Sequence, residues 1–518
     1  MSYLAKTISL ELKKTKRRGI WLVLALFLLL ITGWLSYNMN DERFLGFGWM
    51  MALYNAPLMN AVLIPTGIAV FASRIVDMEH KGNTWKLLET MQRKSDIYLG
   101  KILYGFAAIL IFSVAELAIL LCMGFVLNFK GMPDLWAYGL FFVQTLVISY
   151  NLYLLQMLIS LIFPNQAVAL CTGLCGSMAG LFLMYVPQWP LLRNIIPWGH
   201  YGAAMFVGMD WSKKESIKGF YYMSQGNGAV FFIIGWLCIL LVGGWLAFRH
   251  MDTDGYHFSM KHHGRPKADG APLSHKPIKI PRLPVELLKI KRTPIWLAFI
   301  VLPLISAVIG TGNYLNNLDI LKSTWHSLWT QHALFFCYFF MPPLVGVYAS
   351  YLWRLEHNGT NWNMVLVNTP VWRLVLGKVM VCSGITFLTL AWLCLLYIIC
   401  GLYAGFTEPV PAELLEWLAC GILGGIAVCA VQCFLSLVIR SFAIPIGMAL
   451  VGGFAGLALT AKDHYYLLPY SLMSMGMRAN NPDLKMDILE FVSYSVFFII
   501  LFYLLMVWHI RHHDVRTQ

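Results

Sequence analysis

The sequence predicts an all-α membrane protein of twelve transmembrane helices, arranged as two parallel six-helix repeats with pseudo-twofold symmetry, each preceded by an amphipathic elbow helix. Three observations carry this expectation. The block Glu11 to Trp21, ELKKTKRRGIW, returns as ELLKIKRTPIW from Glu286 to Trp296, each time at the start of a long apolar stretch. Farther along, Glu79, His80, Gly82 and Trp85 recur as Glu356, His357, Gly359 and Trp362, Leu99-Gly100-Lys101 as Leu376-Gly377-Lys378, and Gln156 and Ser160 as Gln432 and Ser436. The register holds through most of each half, which marks a duplication. Finally, the chain is 59% hydrophobic and only 12% charged, with a mean hydropathy of +0.66, values outside the range of water-soluble domains.

The elements follow in order. SYLAKTISLELKKTKRR places Leu4, Ile8 and Leu12 on one helical face among basic residues, so a helix lying on the inner leaflet is expected, with Glu11 and Lys14, and in the second copy Glu286 and Lys289, as its polar residues. An ordinary basic flank is the simpler alternative. The first 37 residues resemble a secretory signal in charge and hydropathy, but no small-residue cleavage site follows Ser36, so an anchor is predicted. Spans long enough to cross a bilayer lie near 20–37, 56–75, 102–127, 136–163, 166–186 and 228–248, and again near 295–312, 333–353, 379–404, 412–439, 443–461 and 488–508. The domain reading is a first repeat over 1–250, a flexible linker over 251–284, and a second repeat over 285–518.

Six spans per repeat bring each copy back to its starting side, so the copies are parallel and related by an axis along the membrane normal. Most of the 38 Lys and Arg fall in the N-terminal segment, the loops at 74–101 and 354–378, the linker and the tail. Both termini are therefore expected in the cytoplasm. The net charge of +13 is then an inner-face charge facing anionic lipid, and nucleic acid is excluded as its partner. All eleven cysteines fall within the spans and read as apolar packing residues without bridges. The linker histidines 257, 262, 263 and 275 and the tail pair His512 and His513 match no zinc spacing, so no metal is assigned.

No phosphate loop, nucleophile elbow or metalloprotease motif is present, so catalysis by this chain is not expected and no catalytic residue is assigned. The features left to explain are short and occur twice. The loop after the second span holds Glu79, His80, Gly82, Trp85 and Lys86 in one copy and Glu356, His357, Gly359 and Trp362 in the other. A Glu and a Trp beside a Gly break suit a docking surface for a two-lobed cytoplasmic partner; an interfacial Trp with a capping Glu is the bland reading. Gly176 with Gly180 and Gly452 with Gly456 have helix-packing spacing. The outer segments carry Trp189, Trp198, Tyr201 and Trp211, and Tyr465 and Tyr466, which suit contact with a peptide or anchoring at the interface. Glu116 is an acid inside the third span, where an ionisable group invites a functional reading, although its counterpart in the second copy is apolar.

The repeated elbow block, the EHxGxxW loop ending in LGK and the sizeable outer loop before each last span resemble the permease subunits of ABC-2 type ATP-binding-cassette transporters. Among these the chain looks most like the lantibiotic-immunity permeases, with a Glu, Gly and Trp in this loop and a Lys opening the third span. The resemblance covers essentially the whole chain, once per half. Family members usually carry a single six-helix unit, whereas here two are fused. The resemblance implies two copies of a separate cytoplasmic ATPase docking on the loops around Glu79 to Lys86 and Glu356 to Asn363. ATP and Mg would sit on that partner, with no cofactor on this chain. It also implies a bacterial plasma membrane and a lantibiotic-like or other membrane-active antimicrobial peptide as substrate, expelled for self-protection or resistance. Two alternatives stand beside it: an ion-coupled secondary transporter, which also uses two parallel sextets, and a peptide sensor with little transport.

Overall fold

The computed structural model describes residues 3–15, 20–39, 45–82, 84–185, 190–212, 216–223, 227–251, 282–291, 293, 295–318, 321–357, 362, 365–366, 369–479 and 486–513. The chain divides into two compact units, residues 1–264 and 265–518.

In the first unit, helix α1 (Tyr3–Thr15) precedes α2 (Ile20–Met39), α3 (Gly48–Gly82), the short α4 (Trp85–Met91), α5 (Lys94–Val126), α6 (Leu135–Ile162) and α7 (Gln166–Tyr185). The segment after α7 then forms α8 (Pro190–Ile195), α9 (His200–Ala203) and a hairpin of β1 (Val207–Ser212) and β2 (Ser216–Tyr222), before α10 (Asn227–His250). The second unit runs α11 (Arg282–Ile290), α12 (Ile295–Asn316), α13 (Trp325–Phe335), a π-helical turn over Phe336–Phe340, and α14 (Met341–His357). It continues through α15 (Val371–Tyr403), α16 (Glu413–Val438), α17 (Ala443–Thr460), α18 (Pro469–Gly476) and α19 (Ile488–His512).

Among the described residues eleven helices are long and apolar enough to cross a membrane, where twelve spans were expected. The exception is the fifth span of the first unit, where the apolar stretch of α7, Val168–Met184, is shorter than the others. Gly173, Gly176, Ser177 and Gly180 occupy that helix, and small residues that admit a neighbour closely add little hydropathy. The second span of each unit is the most buried one. Against α3 pack α2, α6 and α7, and α14 is flanked by α16 and α17, so each unit is built around one central helix. In α3 the helix continues through Pro57 and Pro65 and runs past the expected boundaries at both ends. Its polar C-terminal turn stays helical because other charges meet it there, as described below.

Each unit has the same lock at the turn after its third long helix. A residue in the left-handed region, Asn128 (φ 56°) or Gly405 (φ 86°), turns the chain after the third long helix. The next residue, Phe129 or Phe406, packs edge-on or tilted against Trp49 or Trp325 at ring distances of 5.4 and 5.0 Å. Each indole N–H then donates to a backbone carbonyl of that turn, Gly131 at 3.1 Å and Glu408 at 2.9 Å. Gly124 and Gly401 leave room for the indole, since a Cβ there would stand 2.4 and 2.1 Å from the ring.

The hairpin has no counterpart among the expected elements. Its strands pair antiparallel with a bulge between Asp210 and Trp211. Phe220 packs on Tyr54 of α3 and on Phe47, which gives an otherwise marginal two-stranded sheet an apolar footing.

A paired charge box as the candidate functional site

Two acids and two lysines meet at one end of each unit. In the first, Glu11 and Lys14 are one turn apart on α1, Glu79 stands in the last turn of α3, and Lys101 lies in the second turn of α5. Lys14 Nζ donates to Glu11 Oε1 at 2.8 Å and to Glu79 Oε1 at 3.0 Å, while Lys101 Nζ donates to the same Glu79 oxygen at 3.0 Å. Glu11 Oε2 completes the set at 3.8 Å from Lys101. The second unit repeats it with α11, α14 and α15. Lys289 reaches Glu286 Oε1 at 2.6 Å and Glu356 Oε1 at 2.5 Å, and Lys378 reaches Glu356 Oε1 at 2.9 Å and Glu286 Oε2 at 3.1 Å.

Burial makes these contacts consequential. Lys101 and Lys378 are 0% exposed, and Glu11, Glu79, Glu286 and Glu356 are also buried. A charge removed from water costs several kcal/mol unless partners and hydrogen bonds compensate it, and two acids with two bases sum to zero. Each central lysine gains a further acceptor one turn before the acid, Ile75 O for Lys101 and Leu352 O for Lys378. Each also lies over an indole, Lys101 at 5.6 Å from the Trp85 centroid and Lys378 at 4.6 Å from Trp353, which in turn stacks on Trp362. At Glu356 burial opposes ionisation, and Lys378 and Lys289 outweigh it, holding the carboxyl below the usual carboxylate value. Burial likewise opposes charge on Lys289 and Lys14, and their glutamates outweigh it and hold both ammonium groups above the free lysine value.

A neutral histidine braces each box. His80 Nε2 meets Ser160 O at 3.1 Å and its Nδ1 accepts the Trp85 indole N–H at 3.2 Å, so the proton sits on Nε2. His357 Nε2 meets Ser436 O at 2.9 Å, and burial holds its pKa below the usual histidine value. Ser160 and Ser436 are the repeat-related pair.

The sequence-predicted residues thus come together, but not as an exposed face. Glu79, Trp85, Glu356 and Trp362, expected as a docking surface, are buried because they serve the box. In α1 and α11, Glu11 and Glu286 are buried in the box, while Leu10, Leu12, Leu287 and Leu288 are exposed. Gly82 ends α3. Gly359 and Trp189 lie outside the described residues, as do the side chains of Lys86 and Trp211. Lys101 and Lys378 were visible as a repeated Leu-Gly-Lys without an assigned role; that they recur at the same displacement as the glutamates was the available signal.

The glycine pairs have another partner than a neighbouring long helix. A Cβ on Gly176 would stand 2.2 Å from the Trp198 ring, and one on Gly180 would stand 2.2 Å from Trp198 O. In the second unit Gly452 receives the Tyr470 ring and Gly456 the backbone at Tyr470 and Ser471. The groove therefore seats the segment that folds back after the fifth span. This places Trp198 against Gly176 and Gly180, and it buries Tyr201, whose hydroxyl is 2.7 Å from Ser149 Oγ. Tyr465 and Tyr466 remain half-buried and pack on each other, with Tyr466 stacked on Tyr494.

Comparison with known families gives one match. The family described as ABC-2 family transporter protein matches residues 7–180 and 283–456, so each match opens within or beside the helix that begins the box and closes at Gly180 or Gly456. No curated protein matches the chain.

Proposed function

The chain belongs to the ABC-2 family of transporter proteins, and from that premise we propose that it is the permease of an ATP-driven exporter, with both six-helix units supplied by one polypeptide. Two copies of a separate cytoplasmic ABC ATPase bind ATP and Mg and dock beneath the loops that follow α3 and α14. The observation that carries this reading is the duplicated charge box. It ties the end of the central helix of each unit to the helix before the first span and to the start of the third. A push on the loop is thereby delivered to three elements at once instead of being absorbed by a free strand.

The docking contact falls on side chains next to the box, not on its own acids. On α4, Leu87 and Met91 are one turn apart and 59% and 74% exposed, an apolar pair on a loop that the excess of Lys and Arg assigns to the cytoplasm. Such a pair suits a groove on a protein partner. The substrate proposed is a lantibiotic-like, membrane-active peptide captured in a bacterial plasma membrane and expelled outward. The outer segment of the first unit, with Tyr221 and Tyr222 about half exposed on β2, offers amphipathic aromatics for it.

The test is purification of the full chain from its native membrane in mild detergent, followed by mass spectrometry. An ATPase with a Walker motif recovered at two copies per chain, hydrolysing ATP faster when cationic peptide is added, is the expected result. A chain that purifies alone in several mild detergents and moves substrate under an ion gradient without ATP would replace this reading with the ion-coupled carrier.

A further inference from the structure

Glu116 lies within α5, remote in sequence from the box, and is 1% exposed. Among the described residues neither of its carboxylate oxygens has a hydrogen-bond partner of good geometry. Asn60 of α3 faces it, is 0% exposed, and leaves both its amide atoms unpartnered as well. One turn before Glu116, the buried Ser113 hydroxyl is also without a partner. From α9, Tyr201 lies within range of the Glu116 charge, but its hydroxyl is already engaged by Ser149. No Lys, Arg or His among the described residues pairs with Glu116.

A bare carboxylate in such a place is not sustainable, since an isolated buried charge costs more than the whole stability of a folded domain. Unsatisfied polar groups gathered at one buried point indicate something that completes them. The charge balance limits what that is. One carboxylate with a neutral amide and a hydroxyl balances one positive charge, and among the described residues no group of three His, Cys, Asp or Glu could hold a metal ion. We propose that Glu116 and Asn60 form a binding site for a single monovalent cation, either a proton taken from water onto a Glu116 oxygen or an alkali ion held between those oxygens and Asn60 Oδ1. The site belongs to the first unit alone. The duplication places Leu393 and Cys337 at the equivalent positions, both 0% exposed, and there the same space is filled by apolar packing. Occupancy of this site therefore acts on one half of the transporter: with its cation Glu116 stays buried between α3 and α5, and without it the carboxylate must find water. None of this depends on which partner drives transport.

The experiment uses the full chain in phospholipid nanodiscs, comparing wild type with Glu116→Gln. Infrared spectra at neutral pH read the carbonyl band of a protonated carboxyl group, and melting in sodium, potassium or choline chloride reads alkali binding. A carboxyl band present in every salt and missing from the variant identifies the proton. Absence of that band, with melting raised by sodium or potassium over choline in wild type only, identifies the alkali ion. Either result supports the site. If neither signal separates wild type from E116Q, the carboxylate is ionised without a bound cation and the proposal is overturned. Asn60→Ala, which keeps the acid, guards against misfolding of E116Q. It should weaken alkali binding about tenfold, the loss of one ligand, or shift the carboxyl band, and an unchanged N60A spectrum and salt response would also overturn the site.

Discussion

Lys378 and Glu356 face each other at 2.9 Å with side chains 0% and 1% exposed, and Lys101 and Glu79 repeat the pair at 3.0 Å in the first unit. Each lysine is the third residue of the repeated Leu-Gly-Lys, and each acid opens the repeated Glu-His. The two halves have kept a buried ionic contact while much of the surrounding sequence has changed.

Removing one member of that contact leaves a buried charge short of its partner. Lys378→Met should destabilise the second unit by about 3–5 kcal/mol, whereas Lys378→Met combined with Glu356→Leu, which leaves Glu286 and Lys289 to pair with each other, should recover most of the loss. Thermal unfolding in detergent measures both, and a double variant no better than the single one would contradict the closed arrangement.

The box also sets a pH window. Burial disfavours charge on Glu356, and the two lysines outweigh that, so its folded pKa lies below the ordinary 4.5. A depressed acid contributes stability above its unfolded value and loses it as pH falls through the folded one. Lys14 and Lys289, raised above 10.5, contribute below that value and lose the contribution as pH climbs past their folded ones. Melting temperature should therefore be level across neutral pH and drop on either side, and Glu356→Gln should blunt the acid limb.

The glycine groove gives a ranking. Gly180→Ala drives a methyl to 2.2 Å from the Trp198 carbonyl oxygen, which is backbone, whereas Gly456→Ala meets its nearest atom at 3.1 Å. The first should cost about 1–3 kcal/mol, the second less, because both methyls meet backbone but only the first comes so close that the backbone itself must shift. Melting temperatures of the two variants decide it.

For the proposed docking surface, Leu87→Asp with Met91→Asp should abolish the peptide-stimulated ATP hydrolysis proposed for the complex with its ATPase and leave the melting temperature within a degree or so of wild type, since both side chains are exposed. ATP turnover that still responds to peptide would move the contact elsewhere.

Orientation is checked by single cysteines placed in the segment 251–284 of a chain with its native thiols replaced. An impermeant maleimide should label them only in inverted vesicles, and labelling from outside intact cells would reverse the assignment built on the Lys and Arg distribution.

The duplication, the membrane class and most of the spans were legible in the residues because apolar length and repetition are one-dimensional properties. The residues of the box were legible one by one, yet their roles were not. Glu79 read as an exposed docking acid because a charged residue beside a Gly break ordinarily faces water; nothing local to Glu79 states that Lys101 and Lys14 will arrive from two other helices. The glycine pairs were readable as close approaches, but not the aromatic that approaches, because Trp198 and Tyr470 come from a fold-back with no periodic signal of its own. The tryptophan lock is not legible for a smaller reason: Trp49 and Trp325 are out of step by one residue with the register that relates the turns they cap.

By itself, then, the sequence determined that this protein is a duplicated bundle of apolar helices for a bilayer, since hydropathy and internal repetition require no knowledge of what touches what. The tertiary structure alone brought the repeated charges together into two neutral boxes with buried acids, and left Glu116 without a charged partner among the described residues. A charge's cost depends on its distance from its partners and from water, and those distances exist only once helices distant in sequence have packed.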